Sequence, residues 1–296
     1  MATGAQSQNH LAHVQTGTLS SRSSKFSVRS LERGLLKLFP AQDAEVWDRT
    51  GLLVGDPMTE VTGVAVALDP SLAAISAARK AGANVLLTHH PAFLEAPELF
   101  VPALPEQLNS GSTVWVAIQN QVALMSFHTC LDVSYEAAHV LPNLLSLTFK
   151  RVLDPINEDG SKGYGQICEL TETEDELSLG HLAARCTSVF GRHPRVWGDF
   201  STKVTRIVTC TGSAGDLPAK ALEAHADVLI CGEIRYHDAL EACEAGLNII
   251  DIGHDTSELP LVGVLVTALE KIDFAQDAIT VIDQGSHWDS PETTRL

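Results

Sequence analysis

Ala81-Gly82-Ala83-Asn84-Val85-Leu86-Leu87-Thr88-His89-His90-Pro91 is the stretch on which the fold turns. Asn84–Thr88 is an apolar run of strand length, and Gly82 before it is where a helix stops. Upstream, Ala73–Ala81 reads as a short helix, Asp69-Pro70-Ser71 as a turn and helix start, and Val61–Leu68 as a β-rich run. Strand, helix and strand in that order spell a βαβ unit, so the chain reads as an α/β protein. A further strand, Val122–Phe127, leads into His128-Thr129-Cys130-Leu131-Asp132.

The second half runs the same way. Arg206–Cys210, Val228–Cys231 and Asn248–Ile252 read as strands, with helices over Leu217–Ala224 and His237–Ala245. Ala224–Glu233 aligns with Ala81–His90 at four identities in ten positions, a weak internal repeat. Duplication explains it, and so does convergence on a common βαβ pattern. The expectation is two linked α/β lobes with a cleft between them. The first covers about residues 30–149 and takes the C-terminal helix; the second covers about residues 150–253. Between the repeats, Asp154–Gly163 reads as a loop and Ser178–Phe190 as a helix stopped by Gly191. Ser257 reads as the cap of a last helix over Glu258–Lys271, with Pro260 tolerated in its first turn.

The ends differ in character. Met1–Ser30 has no Asp or Glu, is rich in Ser, Thr and Gln, and carries Arg22, Lys25 and Arg29. Without an apolar core it is no secretory signal; residues 1–29 read as a disordered tail, with an organelle address as the lesser reading. Residues 284–296 are polar and are expected to fray.

The formal charge of −17, from 37 acidic against 20 basic residues, argues against a nucleic-acid binder, whose affinity rests on Lys and Arg neutralising phosphates. It favours solubility and attracts cations. No stretch approaches the roughly 18 apolar residues of a membrane-spanning helix. Six scattered cysteines without a C-x-x-C pair point to reduced, buried thiols and a cytoplasmic setting.

Three strand ends carry the candidate chemistry. Neighbouring residues of a strand project to opposite sides, so His89 and His90 suit two ions better than one. Pro91 fixes the exit direction, and carboxyl ends of strands are where open α/β sheets bind ligands. Asp132 offers a hard oxygen, with His128 as a ligand or a partner behind the ligands. After the third strand, His254 sits in a loop freed by Gly253, and Glu258 is read as opening a helix whose N-terminus keeps it ionised. Thr211–Gly215 resembles a phosphate cradle but lacks the P-loop lysine. Glu233 and His237 stand beside the strand end that mirrors His89-His90.

These pieces together resemble the NIF-three-like family of dinuclear-metal proteins, the GTP cyclohydrolase I type 2 homologues. The matching segments are Trp47–Leu52 with Val54-Gly55, Leu87–Pro91, His128–Asp132, Gly163-Tyr164-Gly165, Cys231–His237 and Gly253–Glu258, in the family's order. The resemblance implies that His90 and Asp132 ligate one divalent ion, His89 and His254 a second, and that Glu258 bridges both, in the cleft between the lobes. It also implies a toroidal homohexamer. Three imidazoles and two carboxylates suit Zn, Fe, Mn or Ni. Two departures stand out: Arg49 where the family usually has Asn, and Ser134–His139 where it often has a Gly-Gly turn.

The leading functional expectation is a metal-dependent hydrolase acting on a nucleotide-like or other small molecule, with His128 or His237 moving the proton. The alternative is a non-enzymatic metal-handling or regulatory protein that binds metal or a nucleotide-like cofactor.

Overall fold

The computed structural model describes residues 26–103, 109–171 and 177–288. Most of the tail assigned to residues 1–29 lies outside these residues, as do 289–296. The fold begins slightly earlier than expected, with a helix over Val28–Leu35. Ser27 and Ser30 cap its start reciprocally, and Val28, Leu31 and Leu35 bury one face.

Among the described residues thirteen strands follow: β1 (Gly51–Val54), β2 (Val64–Ala67), β3 (Val85–Thr88), β4 (Ala123–Ser126), β5 (Thr148–Pro155), β6 (Gly163–Glu169), β7 (Leu177–Ser178), β8 (Arg195–Trp197), β9 (Lys203–Val204), β10 (Arg206–Thr209), β11 (Val228–Cys231), β12 (Asn248–Asp251) and β13 (Ile279–Val281). They form a five-stranded sheet, β1-β4-β3-β2-β13, and a six-stranded sheet, β5-β6-β10-β11-β12-β8, with β7 and β9 paired apart. The strand β13 returns to the first sheet beside β2.

Each sheet has a parallel core of three strands joined through helices: β2, β3 and β4 in one, β10, β11 and β12 in the other. Helix Leu72–Lys80 links β2 to β3, and helix Leu217–Glu223 links β10 to β11. Every residue of β2, β3, β4 and β11 is buried, as central parallel strands covered on both faces require. The helix Leu261–Lys271 inserts Leu261, Leu265 and Leu269 into the first lobe's core with Leu87, Met125 and Phe127. This is the C-terminal helix assigned to that lobe.

The region around β5 and β6 is more regular than its sequence suggested. Residues 148–155 and 163–169 pair as an antiparallel hairpin, so only the stretch between them is loop. The helix Leu179–Phe190 has Ser178 as its cap, and it stops at Gly191, whose φ of 70° an L side chain rarely adopts.

Three expectations at the C-terminal side are corrected. Glu258 does not open a helix; it closes the short helix His254–Glu258, and the long helix starts after Pro260. Ser257 is not its cap, because its hydroxyl accepts from Gly212 N at 2.8 Å and donates to the His254 carbonyl. Residues 284–288 do not fray, since the Gln284 side chain is bonded to the backbone of Leu68 and Asp69. Among the described residues, no helix is long and apolar enough to cross a membrane.

Candidate metal centre

His89 and His90 follow β3 directly, and both rings face one cluster, their centroids 4.9 Å apart. His89 turns inward and is fully buried. Its Nδ1 lies 3.1 Å from the Phe127 carbonyl, which can only accept, so Nδ1 carries the proton. The other nitrogen, Nε2, faces Asp132 Oδ1 at 3.5 Å and Glu258 Oε1 at 3.7 Å. His90 turns into the cleft, with Nδ1 2.7 Å from Asp69 Oδ1 and Nε2 2.9 Å from Glu258 Oε2. His254 reaches the same oxygen at 3.0 Å, and its Nδ1 lies 3.2 Å from Glu233 Oε1.

Three sets of side chains each bring ligand atoms within 4.8 Å of one another: His89 with Asp132 and Glu258; His90 with His254 and Glu258; His89 with His90 and His128. Glu258 is common to the first two. The pairing reverses the one implied by the resemblance, because buried His89 faces Asp132 and His90, in the cleft, faces His254. All five expected ligands nonetheless converge.

The donors fit divalent ions. Among the described residues, His89 Nε2 and Glu258 Oε2 are buried without a hydrogen-bond partner, even though imidazole nitrogens crowd that oxygen. Buried polar atoms are costly to leave unsatisfied, and unprotonated nitrogen and carboxylate oxygen are ligand atoms for borderline metals. In such a site His89 and Asp132 with Glu258 would hold one ion, and His90 and His254 with Glu258 another.

Burial would raise Glu258, but His254, His89 and His90 hold its carboxyl well below the usual range. Burial keeps Asp132 raised despite the charge of His89. Burial opposes protonation of His90, yet Asp69 and Glu258 outweigh it and push that imidazole up to about 10. The Glu258 carboxylate 3.0 Å away, helped by Glu233, carries His254 to about 9 against its burial.

His128 stands at the edge of the cluster. Its Nδ1 lies 3.1 Å from Asp48 Oδ1, while Asp48 Oδ2 also accepts from Thr129 N at 2.9 Å and Thr129 Oγ1 at 2.5 Å. Burial would raise Asp48, but these bonds hold it far below the carboxylate range, so it fixes the His128 ring as a permanent anion. Trp47 packs edge-on at 5.8 Å between ring centroids. Arg49, the first departure from the family pattern, donates Nε to the Leu94 carbonyl at 2.8 Å and ties this loop to the chain beyond Pro91. At the second, Ser134 caps a turn of helix.

His237 is not part of the cluster. It lies exposed on helix Tyr236–Glu244, its ring 5.3 Å from that of Tyr236, because the chain turns away after Glu233. The Thr211–Gly215 turn is no open phosphate cradle either. Gly212 N is taken by Ser257 and Ala214 N by the Glu233 carbonyl. What the turn provides is space: a Cβ at Gly212 would run into Glu258 Oε1, and its φ of 60° disfavours other residues. Asp69 was missed in the sequence. The sequence reading took Asp69 only as part of a turn and helix start; a separate pattern, the shared spacing of His128 with Asp132 and His254 with Glu258, also went unread.

A cleft of about 1320 Å³ opens from His90, His254 and Glu233 toward Arg192, Arg195 and Trp288. Together the paired sheets and the cluster define a two-lobed α/β protein with candidate metal-ligand groups at its strand ends. The chain belongs to the Duf34/NIF3 (NGG1p interacting factor 3) family, which it matches over residues 26–285. It is 31% identical over 234 residues to a GTP cyclohydrolase 1 type 2 homolog of Clostridium perfringens, covering 79% of this chain and 86% of that one. A Streptomyces coelicolor protein of the same name is 30% identical, with coverages of 79% and 82%. Among solved structures, a Bacillus cereus protein related to NIF3 superposes with a TM-score of 0.78 at 20% identity, covering 90% and 98% of the two chains. Reduced HcgD from Methanocaldococcus jannaschii gives 0.69 at 23%, with coverages of 87% and 98%.

Proposed function

We propose that this protein is a dinuclear divalent-metal hydrolase acting on a small molecule in the cleft between its lobes. The observation that carries the reading is Glu258: one buried carboxylate shared by two ligand groups, with His89 Nε2 and Glu258 Oε2 left without hydrogen-bond partners. A pair of divalent ions supplies Lewis acidity and brings the pKa of water toward neutrality.

The chain's own residues would do the remainder. His128, oriented by Asp48, presents Nε2 toward the cluster and is placed to take or return a proton. Asp69 and Glu233 orient His90 and His254. The cleft beyond them accommodates a substrate of nucleotide size, in keeping with the names of the relatives. The homohexamer implied by the resemblance and a cytoplasmic setting belong to the same proposal. Free, mostly buried cysteines favour a reducing compartment.

Elemental analysis of the natively purified protein, beside His89→Ala and His254→Ala variants, tests the site. Two ions per chain in the wild type and losses in both variants are expected; metal-free protein would sink the proposal. Metal-dependent turnover on nucleotides and phosphoesters then tests the enzyme. Two exchangeable ions without turnover would leave a metal-handling protein.

A further inference from the structure

The last described residues, Asp283–Trp288, follow β13 and lie along the cleft. Gln284 uses both ends of its amide. Its Oε1 accepts from Leu68 N at 3.0 Å and Asp69 N at 2.9 Å, and its Nε2 donates to the Asp69 carbonyl at 3.0 Å and Ser71 Oγ at 3.3 Å. Four partners of matching polarity fix the amide's orientation and hold the turn that carries Asp69. Asp69 in turn receives His90 Nδ1 at 2.7 Å.

The same segment reaches the other imidazole of that ligand group. Arg192 donates to Ser286 Oγ at 2.5 Å and lies 4.0 Å over the Trp288 ring. With its other terminal nitrogen it donates to Asp255 Oδ1 and Thr256 Oγ1, both at 2.9 Å, on the short helix that begins with His254. His89 and Asp132 have no such connection: His89 is fixed from the Phe127 carbonyl, inside the first lobe.

We propose that Asp283–Trp288 is a positioning clamp for one ligand group only, that of His90 and His254, with Gln284 and Arg192 as its working residues. The inference rests on the metal-binding reading above and adds an asymmetry to it. Apart from the shared Glu258, the ligands of one group are set within the first lobe, and those of the other are held through contacts with the C-terminal segment. Residues that orient ligands typically change metal affinity by about 10–100-fold when removed.

The test is zinc titration of the full chain against a chromophoric chelator, for the wild type and the variants Gln284→Ala, Gln284→Glu and Arg192→Ala. Gln284→Ala and Arg192→Ala should each weaken one of two zinc sites by about tenfold and leave the other unchanged. Gln284→Glu keeps the acceptor and should fall between. In a His90→Ala background, Gln284→Ala should have no further effect on zinc affinity. Thermal unfolding of the metal-free variants separates folding from positioning. A lower melting temperature with both zinc affinities intact overturns the clamp, and so does equal weakening of both sites. A wild type that binds no zinc defeats the underlying reading first, before any variant is compared.

Discussion

The two lobes finish their third parallel strands alike and their second strands differently. After β4 the chain places His128 and Asp132 on one short helical turn; after β12 it places His254 and Glu258 the same way. After β3 stands the pair His89-His90, whereas after β11 the aligned positions hold Gly232-Glu233. A side chain at 232 has no room, because its Cβ would strike the Gly212 carbonyl and the Ser257 hydroxyl. At this position the first lobe thus brings two adjacent imidazoles, and the second a glycine packed against Gly212.

The largest test of that division is Glu258→Ala. It should remove metal from both groups and leave three imidazoles, that of His89 fully buried, without their common counter-charge. A loss of roughly 3–5 kcal/mol in the metal-free protein is expected from breaking such a buried cluster, measured by denaturant unfolding. Retention of either ion would mean that the carboxylate is not shared.

Gly212→Ala probes the space itself. Its Cβ would displace Glu258 Oε1, and the left-handed backbone alone costs about 1–2 kcal/mol. Reduced metal content with modest destabilisation is the expected result. Normal content would show that Glu258 can retreat without consequence.

The matched histidines offer a sharper contrast. His254→Ala should lose one ion. His128→Ala should keep both and lower turnover by about 10²–10⁴-fold, the usual contribution of a general acid or base. Metal loss in both variants would make the two strand ends equivalent ligand donors.

Proton release is the mildest effect. With His90 raised to about 10 and His254 to about 9 in the metal-free protein, zinc must displace protons near neutrality. Calorimetry in buffers of different ionisation enthalpy should detect that release, and apparent affinity should rise with pH. Both folded values exceed the ordinary 6.5, so the stability these imidazoles lend the metal-free fold is complete below 6.5. It is lost as pH climbs through about 9 and about 10. A metal-free melting temperature that rises across that interval would contradict the assignment.

Much of this was legible in the residues. The βαβ units announced themselves as strand-sized apolar runs separated by helices, and the five converging side chains stood at three such strand ends. The pairing among them was hidden, because it depends on which way each imidazole rotates: the Phe127 carbonyl turns His89 and Asp69 turns His90. Glu258 was placed at the start of a helix because Pro260 two residues later suits a first turn; the break falls after Glu258 instead. The ordered part of the C-terminal tail was equally invisible. A polar segment gives no sign that one glutamine will find four backbone and hydroxyl partners across more than two hundred intervening residues.

His89, His90 and Asp132 follow strands of the first sheet, while His254 and Glu258 follow the last parallel strand of the second. During synthesis, the earlier ligands leave the ribosome with no carboxylate yet available to join them to a second imidazole group. The five side chains can come together only once both lobes have been made, so the cluster is a product of the whole chain rather than of either half.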